Sequence, residues 1–265
     1  MRVMPVLRKD INDAIRSKAL WFLSFFMVGL AVLGLYGATT LPEADASQAI
    51  SAFNDPILLI IPILGLIISY KSIVAERETG SLRMLLSLPI LRWEVLAGKF
   101  IGRIAVLLLP IIIAFAVSVP LSWYWFGDIA GTDTLQAVTL SIALALPYIA
   151  IGLGLSASVR NSTQAVIMAI LVYIITAESV WSLVPTAGYL VLFRELPDTE
   201  ANWYQFYESL SPKTAAETTV DLLYGSGISD VPLYLQEWLA IPLFILWAGV
   251  PLLLGYVAFE KSDVS

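Results

Sequence analysis

The chain has 265 residues, 58% of them hydrophobic and 14% charged, with a formal charge of −6 and a mean hydropathy of +0.83. Soluble domains are about half apolar and a quarter charged, so residues 1–265 read as a single integral membrane domain, all-α in class. Cysteine and histidine are both absent, which excludes disulfides, thiolate chemistry and imidazole bases or ligands, and with them most routes to an enzyme or a metal centre.

Residues 1–18 come first. Val3, Leu7, Ile11 and Ile15 recur at four-residue steps, with Arg8, Lys9, Asn12, Asp13 and Arg16 on the opposite face. The pattern predicts an amphipathic helix lying in the membrane interface, and a basic anchor that orients the next segment is an equal reading. Residues 19–38 form the first predicted span. Its apolar run exceeds the about 7–15 residues of a signal peptide's core and no A-x-A site follows, so it is expected to be retained. A second span is predicted at 57–75, where Lys71 lies near enough to the end to snorkel to the headgroups.

Residues 76–99 break the apolar pattern. Gly80 and Pro89 bracket a short helix that places Leu82, Leu85 and Leu86 on one face, and a second helix starts near Arg92. The segment has too many leucines for a solvated connector and too few for a span, so that face needs lipid or a partner protein to pack on. Further spans are predicted at 104–125, 135–158, 163–184 and 238–259, each about the 20 residues that cross a hydrocarbon core of about 30 Å. That makes six. Ala150, Gly154 and Ser158 recur at four-residue spacing in the fourth and permit close packing, within the subunit or across a dimer.

Glu178 is the one carboxylate inside a predicted span. At about 1.5 Å per residue it lies roughly 22 Å from Thr163, in the outer third. It is a candidate pathway or gating residue, although a carboxylate reaching the headgroups is as good a reading. The outer segment 185–237 carries two short stretches, 187–193 and 214–224, expected as re-entrant or interfacial helices.

Thirteen of the basic residues fall on one side of this topology: Arg2, Arg8, Lys9, Arg16, Lys18, Lys71, Arg77, Arg83, Arg92, Lys99, Arg103, Arg160 and Lys261. That side is expected to be the cytoplasm of a multi-pass plasma-membrane protein, with both termini inside. Carboxylates crowd the other side, which fits a solvated exterior and also a high-salt organism, where such a surface stays hydrated.

The segment Glu76–Arg92 reads E-R-E-x-G-S-L-x-x-L-L-S-x-P-x-x-R and is followed by Gly98-Lys99. It resembles the first cytoplasmic loop of ABC-2 type transporter permeases, and Arg8–Ile11, the length and the six spans are similar to that family as well. The resemblance implies a homodimer of permease chains, with a heterodimer as the alternative, bound to two copies of a separate ATP-binding subunit. It assigns coupling to that subunit to Glu76, Arg77, Glu78, Gly80, Leu82, Leu85, Leu86, Pro89 and Arg92. Gly98-Lys99 lacks the remaining residues of a P-loop, so ATP and Mg are expected on the partner and no cofactor on this chain. Membrane lipid is an expected partner, and nucleic acid is not.

The function expected is therefore the membrane subunit of an ATP-driven exporter. A permease serving nitrous-oxide reductase maturation is one alternative. A gradient-driven secondary transporter using Glu178 is another, which the lack of an internal repeat disfavours. The substrate and the direction of transport are not legible.

Overall fold

A computed structural model describes Arg16 and residues 18–82, 91–199, 201–225 and 235–261 of the chain. The N-terminal stretch 1–15 and the coupling candidates Leu85, Leu86 and Pro89 lie outside the described residues. Among those described, every regular element is helical: α1 Lys18–Ala38, α2 Ala46–Ser69, α3 Val74–Glu78, α4 Arg92–Phe126, α5 Gly131–Ser158, α6 Ser162–Thr176, α7 Glu178–Phe193, α8 Asn202–Ser209, α9 Pro212–Tyr224, a 3-10 turn at Glu237–Leu239, and α10 Ala240–Lys261.

Local chemistry sets many of these limits. The side chains of Asp45, Asn161 and Ser211 accept from the backbone N–H of Gln48, Gln164 and Thr214, which starts α2, α6 and α9. Gly127 and Gly225 end α4 and α9 with φ of 74° and 80°, a conformation that glycine adopts without a Cβ penalty.

Five stretches are long and apolar enough to cross a membrane: Leu20–Ala38, Ala46–Glu78, Arg92–Phe126, Gly131–Ser158 and Glu237–Lys261. The second and third run to 33 and 35 residues, well beyond the about 20 that a bilayer core needs, so their charged ends project from it. The continuous span expected at 163–184 is instead two helices. Ala177 is extended (φ −61°, ψ 132°), and α6 meets the Ser179–Phe193 part of α7 at 62°. Each piece is only about 22–24 Å long, short of the hydrocarbon thickness, so the total reaches six only if the bent pair counts as one span.

The second span also differs from expectation. The sequence reading began it at 57, after the polar run Asn54-Asp55-Pro56, but α2 passes straight through that run. Asn54 is buried there, and its side-chain oxygen accepts from the Ser141 hydroxyl of α5 at 3.3 Å, so that acceptor keeps a partner inside the bundle.

α5 is the central element and packs chiefly against α2 and α10. Phe53, Ile57 and Ile61 of α2 and Leu144, Tyr148 and Ile149 of α5 are fully buried at its heart, with Leu107 and Ile111 of α4 closing the layer. The α5–α10 approach is so close that a Cβ on Gly255 would sit 2.6 Å from the Gly154 Cα. Gly154 therefore serves packing inside the subunit, one of the two uses its spacing allowed. By contrast, α6 buries only Ala165, Ala169 and Thr176.

Candidate functional site

The turn after α2 and the short helix α3 tie together three longer helices, α4, α5 and α6. Ile73 and Val74 donate their backbone N–H groups to the Ser156 hydroxyl of α5, at 2.9 and 3.1 Å, which closes the start of α3. Three consecutive charged residues follow, and successive side chains of a helix radiate about 100° apart. Each grips a different element.

Glu76 accepts from Lys99 of α4 at 2.9 Å, with the lysine only 2% exposed. Arg77 donates to the carbonyls of Val159 at 2.5 Å and Ala157 at 3.1 Å, satisfying acceptors that the end of α5 leaves open. Glu78 accepts from both the backbone N–H and the hydroxyl of Ser162, the first residue of α6. A five-residue helix that would be marginal alone is thus a three-way clasp.

Electrostatics follow this geometry. The Ser162 hydroxyl and N–H, with Lys71 adding a smaller pull, hold the Glu78 carboxyl below its ordinary value. Burial, and then the neighbouring Arg92 charge, push the Arg77 guanidinium down.

Beyond α3 the chain turns at Gly80, whose φ of 73° favours glycine. Leu82 follows and is fully buried against Ile73, Leu96, Leu153, Ala157 and Phe259. Arg92, the first residue of α4, donates to the carbonyls of Phe259 and Glu260 and lies over the Phe259 ring at 5.2 Å. The Leu91 N–H donates to Glu94 at 3.0 Å, completing the start of that helix. Leu82 and Arg92 are therefore both seated on the end of α10.

The structure brings Glu76, Arg77, Glu78, Gly80, Leu82 and Arg92 together at one end of the bundle. Five of them, all but Gly80, make internal contacts there: the sequence reading offered Leu82 to a partner surface, and the fold packs it inside its own subunit. Lys99, Ser156, Ser162 and Phe259 complete the arrangement and were not among the candidates. Lys99 was within reach as the end of the motif, whereas the others lie about 60 or more residues away in sequence and carry no local signal. Glu178 is not brought to this cluster. It is the first residue of α7, beyond the break at Ala177 and separated from Ser162 by the whole of α6, about 22 Å long.

At the opposite end, α8 and α9 pack under an aromatic group. The Trp181 ring stacks on Tyr207 at 5.2 Å and its N–H donates to the Tyr207 carbonyl, while Trp247 donates to the Leu210 carbonyl at 2.9 Å. Gln136 of α5 donates to Asp221 of α9 at 2.9 Å. The stretch 214–224 falls within α9, which lies on α5 and α10, and 187–193 is the second half of α7.

A model of the ABC-2 family of transporter proteins matches residues 4–264. The chain is 27% identical to "Probable ABC transporter permease protein NosY" of Stutzerimonas stutzeri, over 98% of each chain. A NosY of Pseudomonas aeruginosa is 29% identical over 43% of this chain and 42% of its own. "ABC transporter G family member 20" of Dictyostelium discoideum is 23% identical over 74% of this chain and 24% of its own length.

Proposed function

The chain belongs to the ABC-2 family of transporter proteins, and from that premise we propose that it is the exporter permease of an ABC transporter, coupled through residues 76–99 to a separate ATP-hydrolysing subunit. Two permease chains form the translocation pathway, the end bearing α3 faces the cytoplasm, and ATP and Mg are held by the partner.

The observation that carries this reading is the clasp made by Glu76, Arg77 and Glu78. A force applied to the segment after Gly80 reaches α4, α5 and α6 together, because α3 holds all three. α6 conveys it towards the bend at Ala177. Leu82 and Arg92, anchored on α10, keep both roots of the segment from yielding. Leu85, Leu86 and Pro89 are assigned to the contact with the ATPase, and the six described candidates hold that contact in register.

Two relatives carry the name NosY, which favours testing this chain first in the task those permeases perform. The sparse charge of the spans favours a lipophilic or amphipathic cargo over a hydrated ion. Glu178 is proposed as a residue of the pathway near the bend. The test is co-expression with the cognate ATP-hydrolysing subunit. A stable complex whose hydrolysis rate differs from that of the free ATPase supports the reading, and an ATPase that never co-purifies defeats it.

A further inference from the structure

We propose that Lys99 is a positioning residue for coupling, and that its buried pair with Glu76 is the joint through which α3 moves α4. The inference rests on the reading of residues 76–99 as the ATPase-facing element.

Three observations carry it. Lys99 is almost wholly enclosed, at 2.9 Å from Oε1 of Glu76, whose own side chain is 23% exposed. The other carboxylate oxygen, Oε2, is also buried and has no hydrogen-bond partner among the described residues. Finally, α4 runs on from Lys99 to Phe126, about 40 Å to the opposite end of the bundle.

A half-satisfied buried pair is a poor source of stability, since well-packed apolar residues of the same volume usually hold as well or better. What the pair supplies instead is a fixed register. Apolar surfaces can slide past each other, whereas separating these charges strands the enclosed Lys99 ammonium in a dry site. That penalty exceeds what a typical coupling between two sites delivers, so α3 and α4 move as one body.

The experiment uses the complex with the cognate ATPase in lipid nanodiscs. The native chain has no cysteine, so Thr199→Cys provides one probe at the opposite end. Its labelling by a membrane-impermeant maleimide is timed without nucleotide and with ATP plus vanadate. In the parent, the rate is expected to change by at least about fivefold. Glu76→Gln/Lys99→Met removes both charges and leaves neither ion unpaired, so it should lose that change. Lys99→Arg and the swap Glu76→Lys/Lys99→Glu should retain it.

If the neutral pair responds like the parent, the ion pair is structural and the proposal falls. It falls equally if the neutral pair and the swap both fail to assemble. A parent complex that assembles but shows no nucleotide response overturns the coupling reading beneath it.

Discussion

Arg77 and Val159 stand 82 positions apart in the sequence, yet the guanidinium of one donates to the carbonyl of the other at 2.5 Å. Val159 is the residue at which α5 stops, and Ala157 just before it takes the second donor of the same side chain. The central helix of the bundle thus ends on a side chain that belongs to the motif segment.

Arg77→Ala leaves both carbonyls without that donor. A hydrogen bond to a charged group contributes about 1.5–3 kcal/mol, and a loss of that order is expected in thermal unfolding of the purified permease. Arg77→Lys should recover only part of it, because a single ammonium cannot match the guanidinium fork. In the complex, Arg77→Ala is expected to assemble with the ATPase and to hydrolyse ATP with little transport.

Glu78 predicts a pH dependence. Its carboxyl is held below the ordinary value, chiefly by Ser162. A depressed carboxylate contributes stability that is fully present above the unfolded value of about 4.3 and is lost as pH falls through the lower folded value. Melting temperature followed from neutral to acidic pH should therefore drop more steeply in the parent than in Glu78→Gln. Parallel curves would mean that the Ser162 contact contributes nothing in solution.

The α5–α10 crossing gives a paired test. A Cβ on Gly255 meets the Gly154 backbone, whereas one on Gly249 meets nothing within 4 Å. Gly255→Ala is expected to cost about 1–3 kcal/mol through forced separation of the helices. Gly249→Ala should be neutral or slightly stabilising, since alanine is the better helix former. Equal melting temperatures for the two variants would contradict the crossing.

Leu82 and Leu85 are three residues apart and should behave differently. Leu82 is fully buried in its own subunit, so Leu82→Asp forces a carboxylate into a dry core and should lower the yield of folded permease. Leu85→Asp is expected to fold normally and fail to retain the ATPase, which co-purification reads directly. Normal assembly and transport by Leu85→Asp would remove this residue from the contact.

Topology can be tested with single cysteines. Ser47→Cys and Thr199→Cys should react with an impermeant reagent added outside intact cells, and Ser87→Cys only after permeabilisation. The inverse pattern would reverse the orientation and with it every role assigned to α3.

The five long helices were legible because each is an apolar run of spanning length, and α1 begins within one residue of its expected start. Helix starts such as that of α2 were not, because Asn54 looks like a breaker until Ser141 is placed opposite it. The bend at Ala177 escaped for the converse reason: the sequence is apolar on both sides of it, and only Thr176, Glu178 and Ser179 stand out as polar. At the candidate site, the motif marked the correct segment but not its contacts. Glu76, Arg77 and Glu78 read as surface charges meant for a partner, since nothing local in the sequence announces Val159 or Ser162 as theirs and Lys99 stands out only as the end of the motif.

The break between α6 and α7 has a consequence for hydration. A helix end leaves peptide groups without intrahelical partners, and in hydrocarbon each such group costs several kcal/mol. Ile174 and Ile175, immediately before the break, are about half exposed, so the notch opens to the outside of the single subunit. Lipid tails cannot satisfy it. The Thr176 hydroxyl donates back to the Val172 and Tyr173 carbonyls, and water or a second protein surface is expected to cover the groups that remain.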